Sequence, residues 1–257
     1  MPRSIFNATV TFGLVNVPIK LFTATESKTV HFREVHEPDG APIQHRRIDP
    51  ETGEEVSNDD IVKGYEVGEG EFVELTKEEI AAAAGERTKA IPIEDFVPAA
   101  DIDPVFFDKT YYVGAREGGE DAYRVLHAAL AGSGRAGIGR MTFHNREYLI
   151  ALRARDDVIV IHTMHFADEI IPGEDVEVAE PDKGPTDREV KMAGSLVDAL
   201  AAPFEPDNYE DTYRERVLEM IEAKAKGKQV VRTEPDEPAE ESDLLAALQA
   251  SVKGAKG

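Results

Sequence analysis

The sequence predicts a mixed β and α fold: a strand-rich barrel or sandwich, interrupted by one long excursion and followed by helices. Three observations predict it. Short runs of alternating apolar and polar residues, separated by turn residues, recur from Phe6 to Phe166. Residues 36–60 hold three prolines, two glycines and almost no apolar period. Beyond Pro172 the period becomes helical and two helix-start signals follow, Thr186 with Glu189 and Asp207 with Glu210.

In order along the chain, Phe6, Ala8, Val10 and Phe12 alternate with Asn7, Thr9 and Thr11, the period of a half-buried strand. Gly13 and Asn16 mark a turn, and Val17, Ile19 and Leu21 resume on the next strand. Val30–Val35 reads as a third strand, with Val30 and Phe32 on one face. The excursion at 36–60 carries His45, Arg46 and Arg47, the only adjacent arginines in the chain. A loop of this length in a compact domain is usually functional or disordered. Glu71–Leu75 reads as a strand, and Thr76 with Glu79 opens a short helix through Ala84. Strands follow near Ala90–Phe96 and Thr110–Ala115, then a helix over Tyr123–Ala131 that the glycines of 132–139 break. Three strands joined by short turns come next, at Ile138–Phe143, Glu147–Arg153 and Asp157–Phe166. The first late helix runs to about Ala202, with Val190, Ala193, Leu196, Val197 and Leu200 on one stripe. The second runs to about Lys226, with Tyr213, Val217, Met220 and Ile221 apolar. Residues 227–242 form a polar, Pro- and Glu-rich linker before a last apolar segment, Asp243–Val252.

The chain has 257 residues, 41% of them hydrophobic, enough to bury a core. Absence of cysteine excludes disulfides, a thiol nucleophile and a cysteine metal site. No apolar run has the length of a signal peptide's core or of the roughly 18 residues of a membrane span. The expected compartment is the cytoplasm, with no membrane partner.

Charge is unevenly distributed. The chain carries a formal −22, yet residues 123–155 hold six arginines and one acid, a net +5. Residues 49–122 net −15 and residues 156–211 net −13. Two readings account for a basic island between acidic blocks: arginines pairing with acidic neighbours, or an anion held on one face while other faces repel it. Arg140 with Thr142, and Arg153 with Ala151, share strand faces, and arginine suits bidentate phosphate contact. One aromatic, Tyr148, is interleaved with the strand arginines, so a base-stacking platform is not expected. No phosphate-loop, Gly-x-Ser-x-Gly or His-Glu-x-x-His motif is present. His162 and His165, with Asp168 and Glu169 nearby, invite a metal reading, but residues three apart on a strand point to opposite faces.

Collinear motifs over residues 4–226 resemble the bacterial Ku family, the DNA-end-binding factors of nonhomologous end joining. Phe12–Leu21 with Thr25 and Glu26 looks like the family's opening signature, and Ile61–Tyr65 like the segment after its loop. Phe96–Pro98, Ile102–Pro104 and Tyr111–Tyr112 resemble its middle. Lys191–Ala193, Tyr209, Asp211–Arg216 and Ile221–Lys224 resemble its C-terminal helices, and Asp243–Lys253 its short extension. One departure is plain: where many relatives carry Cys-x-x-Cys in the long loop, this chain has Asp49 and Thr52.

The resemblance implies a non-catalytic homodimeric ring that threads onto ends of linear double-stranded DNA, reads no sequence, needs no cofactor and recruits the end-joining ligase, ligase D. It implies a barrel core with its bridge over residues 1–184, a dimerisation arm over 185–226, a linker over 227–242 and a docking segment over 243–257. The expected DNA contacts are Lys20, Arg33, His45, Arg46, Arg47, Lys63, Arg135, Arg140, Arg146 and Arg153. For Arg46 and Arg47 the alternative is a surface pair balanced by Glu51, Glu54 and Glu55. Leu196, Val197, Leu200, Val217, Met220 and Ile221 are expected to hold the dimer, and Leu244, Leu245, Leu248 and Val252 to dock the ligase. Two rival readings are an acidic β-barrel enzyme with a metal at His162 and His165, and an interaction scaffold without DNA contact.

Overall fold

The computed structural model describes residues 3–83, 89–144, 146–176 and 184–227. The elements in chain order are β1 (Phe6–Phe12), β2 (Val15–Thr23), β3 (Lys63–Gly68), β4 (Glu71–Leu75), α1 (Lys77–Ala83), β5 (Ala90–Pro98), β6 (Phe107–Ala115), α2 (Glu120–Ser133), β7 (Arg135–Phe143), β8 (Arg146–Arg155), β9 (Val158–Met164), α3 (Asp187–Ala199) and α4 (Thr212–Ala225). The chain divides into two units, residues 1–28 with 33–175, and residues 29–32 with 176–257.

In the first unit seven strands close into a barrel in the order β1-β2-β6-β9-β8-β7-β5. That decides between barrel and sandwich. All neighbours are antiparallel except β1 and β5, whose parallel pairing closes the ring. The period-two alternation fills the interior: Ala8 and Val10, Val17, Ile19 and Leu21, Ile150 and Leu152, Ile159 and Ile161 form one core with Leu126 and Leu130 of α2. Gly139 on β7 is required by close approach, because a Cβ there would collide with the Pro92 carbonyl on β5. Tyr123 fastens α2 to the barrel. Its hydroxyl donates to the Val113 carbonyl at 2.7 Å and accepts from the Ile159 N–H at 2.9 Å, and burial raises the phenol's pKa.

Two expectations are corrected, and one strand was not anticipated. Val30–Val35 is not a strand: only Val35 makes a bridge, to Pro42, and Phe32 is exposed. Two apolar residues in alternation, with no neighbouring strand to complete a ladder, do not make one. The unanticipated strand is β3, where only Tyr65 and Val67 alternate with polar or glycine neighbours and every residue of the β3–β4 hairpin is exposed. The second late helix starts after Asp211, whose carboxylate accepts from the Arg214 N–H at 3.0 Å; Pro206–Asn208 forms a 3₁₀ turn instead. The Thr76 and Thr186 capping boxes are present as expected, and their bonds lower the pKa of Glu79 and Glu189.

The excursion contains two turns of like construction. Val35 bridges Pro42 and Ile48 bridges Glu55, each around a glycine at positive φ, Gly40 at 69° and Gly53 at 72°. Asp39 ties the first turn, accepting from the Ala41 N–H at 3.0 Å. Asp49 ties the second, accepting from the N–H groups of Glu51 at 2.8 Å and Thr52 at 3.3 Å. At the two positions where many relatives are expected to carry cysteines, a carboxylate-to-amide bond therefore does the stapling.

In the second unit α3 and α4 expose most of their apolar side chains. Val197, Leu200, Met220 and Ile221 are exposed and Leu196 is half-buried, whereas Val217 is buried within one copy. Phe204 and Tyr209, in the connector, stack at 5.7 Å with both rings exposed. Leu244, Leu245, Leu248 and Val252 lie outside the described residues.

Candidate nucleic-acid interface

Folding of the excursion brings the adjacent arginines to a concave surface. The Val56 N–H donates to the Arg47 carbonyl at 2.9 Å, so 46–48 runs against 55–57. A cleft of about 630 Å³ opens there, lined by His45, Arg46 and Arg47 with Glu55, Ser57 and Asn58. A second cleft, about 600 Å³, shares Arg47 and Asn58 and adds Lys63 and Lys77 with Thr76, Asp59 and Glu78. Four of the expected contacts, His45, Arg46, Arg47 and Lys63, are thus brought together. Lys77 joins them without having been expected; its signal is its place just after Leu75, which pairs with Lys63 across the hairpin. Arg46 pairs with Glu55 at 3.2 Å and His45 with Glu34 at 3.2 Å. Among the described residues no ion pair engages Arg47, Lys63 or Lys77.

The barrel arginines do not gather in this way. Arg140 lies between Glu94 at 3.2 Å and Glu147 at 3.0 Å, and these carboxylates raise its pKa further. Arg146 reaches Glu169 at 3.4 Å and lies over the Tyr148 ring. Arg155 meets Asp156 at 3.7 Å. Arg135 donates to the Phe96 carbonyl at 3.0 Å. Much of the basic island is therefore balanced by acids from the flanking blocks. Lys20 sits half-buried on β2, opposite Asn7 and Gly114, and Arg33 is exposed.

Arg153 is committed to the barrel wall. Its Nε donates to His162 Nε2 at 2.9 Å, and its guanidinium lies over the Phe107 ring. An arginine only donates, so Nε2 is the acceptor and Nδ1–H faces the Thr110 hydroxyl at 2.9 Å. Burial, then the charges of Arg153 and Arg155, depress the His162 pKa from 6.5 to about 4. Both ring nitrogens are engaged, so His162 is not presented to a metal. β9 ends at Met164, between the two histidines, so the opposite-face argument does not decide the matter; the hydrogen bonds do. His165 lies near Glu169 at 3.8 Å, and no metal-binding group of three or more side chains occurs among the described residues.

A family model described as "Ku70/Ku80 beta-barrel domain" matches residues 11–192. The chain belongs to the Ku family. Proteins named "Non-homologous end joining protein Ku" are similar to it along nearly its whole length. That of Bacillus subtilis (strain 168) is 38% identical over 253 residues, covering 97% of this chain and 81% of its own. That of Mycobacterium tuberculosis (strain ATCC 25618 / H37Rv) is 38% identical over 260 residues, covering 98% and 95%. That of Anaeromyxobacter sp. (strain K) is 42% identical over 259 residues, covering 100% and 87%. The Ku match takes in the excursion with its clefts as well as the barrel, so these clefts lie within the family domain. Among the described residues no helix is long and apolar enough to cross a membrane.

Proposed function

We propose that this Ku-family chain binds the ends of linear double-stranded DNA without sequence preference and takes part in double-strand break repair by nonhomologous end joining. The observation that carries the reading is the concave surface where Arg46, Arg47, Lys63 and Lys77 converge beside a Ku barrel. Contacts of that kind reach phosphate and sugar, which carry no base identity, as a factor for random breaks requires. The reading assigns no reaction, only binding and recruitment at breaks in the cytoplasm and nucleoid. The partner that completes the assembly is a second copy, supported by the exposed apolar stripes of α3 and α4. Twofold symmetry would then present the same clefts to both strands of a duplex. The tail at 243–252, with Leu244, Leu245, Leu248 and Val252 on an amphipathic pattern, is proposed to dock ligase D and stimulate it.

The test is topological. The protein should bind a linear duplex and fail to bind a relaxed closed circle of the same sequence. Equal binding to both forms refutes threading from an end. The ion pairs that occupy Arg140 and Arg146 favour a second reading, a scaffold with no DNA contact, and absence of any mobility shift on a short duplex would establish it.

A further inference from the structure

The cations of the two clefts fall into two sets. Arg47, Lys63 and Lys77 stand without a carboxylate partner among the described residues, whereas Arg46 is held by Glu55 at 3.2 Å. That pair is set by backbone. Ile48 bridges Glu55, the Asp49 N–H donates to the Glu54 carbonyl at 2.9 Å, and the Gly53 N–H donates to the Asp49 carbonyl at 2.8 Å. The turn therefore brings Glu55 to Arg46 without needing their salt bridge to hold its shape. Both side chains remain more than half exposed, at 65% and 59%, so the pair can open into solvent.

A carboxylate and a phosphate present the same chemistry to a guanidinium, a pair of anionic oxygens. The geometry points to Glu55 as a displaceable internal counter-ion. In the free protein its carboxylate occupies the place on Arg46 that a duplex phosphate takes in the complex, and so it sets how readily the cleft accepts DNA. This rests on the DNA-binding reading above and adds a residue that works against binding. Arg47, Lys63 and Lys77 offer open charge to an arriving phosphate backbone; Arg46 follows once Glu55 lets go. The exchange is favourable where several phosphates arrive together, and unfavourable for a stray anion that meets Arg46 alone.

The test is a double-mutant cycle on a short linear duplex, with affinities measured at low salt for wild type, E55Q, R46A and R46A/E55Q. E54Q serves as the control for loss of one negative charge, since Glu54 is the exposed neighbour and makes no ion pair among the described residues. E55Q should bind more tightly than E54Q, by up to about fivefold per copy, the range open to an exposed ion pair. The gain should fade as salt rises and screens the pair. In the R46A background, E55Q should add no more than E54Q does. An E55Q affinity equal to or below that of E54Q overturns the proposal, as does a gain that persists without Arg46. If wild type itself fails to bind linear duplex, the DNA-binding reading falls first; if wild type binds and E55Q is flat, only the role of Glu55 falls.

Discussion

Replacing Arg46 and Arg47 together by alanine tests the cleft most directly. The two side chains line one surface, Arg47 free of carboxylates and Arg46 paired to a single exposed one. Opening that pair costs about 1 kcal/mol at most, so it does not withhold Arg46 from phosphate. Each phosphate contact contributes about 0.9 to the slope of log K against log salt. Two contacts in each of two copies make about 3.6, and Arg47 alone about half of that. Raising salt from about 50 to about 200 mM should therefore weaken wild type by roughly two decades more than it weakens the double variant. The assay is fluorescence anisotropy of a labelled linear duplex over that salt range, with circular dichroism to show that the fold is kept. An unchanged slope with unchanged affinity shows that neither arginine meets phosphate, and leaves Arg46 as a surface residue paired to Glu55.

Two further outcomes are expected. His162, 6% exposed and with its pKa lowered from 6.5 to about 4, binds a proton more readily unfolded than folded. Its contribution to stability is then constant above pH 6.5 and falls as pH drops towards 4. The slope is at most about 1.4 kcal/mol per pH unit, a loss of about 2 kcal/mol by about pH 5. Urea unfolding of wild type and His162→Gln should diverge by that amount between about pH 7 and pH 5; parallel curves would contradict the assignment. For the arm, Met220→Asp with Ile221→Asp should convert a dimer to monomers in light scattering, and a folded dimer after that change would rule these side chains out of the interface.

The barrel was readable in the chain because period-two alternation reports a wall with one dry face, and Phe6–Phe12 has the strand limits its pattern implied. The helix starts at Thr76 and Thr186 were readable because a capping box is local, closed within four residues. Pattern failed where burial does not report. β3 lies in a hairpin exposed on both faces, so its side chains are not sorted by water. At Val30–Val35 the sorting was there and the neighbouring strand was not. Arg46 and Arg47 stood out as a dipeptide in a segment with no core to bury them. Of the three acids expected to balance them, Glu55 does pair, with Arg46, because a local turn brings it there; the partners of Arg140 and Arg146 could not be read, since Glu94 and Glu169 reach them only through the folding of the barrel wall.

The same pairing bears on how a chain of formal charge −22 can hold a polyanion. At about 0.1 M salt, exposed charges more than roughly 10 Å apart are largely screened from each other, so net charge governs the approach and local composition governs the contact. Around the two clefts Arg46, Arg47, Lys63 and Lys77 face Glu55, Asp59 and Glu78, a surface close to balance. Such a surface does not draw phosphate from a distance. It gains from phosphate only when a duplex lies along it, meeting several cations at once while the carboxylates swing into water. The barrel arginines, already paired, add little to that attraction, and Arg153 supports the wall through His162. On this arrangement the acidic exterior and the balanced cleft act in one direction. Both disfavour casual adsorption along the length of DNA, and both leave binding to the geometry that engages many phosphates together, as entry of a duplex end into a ring of two copies would.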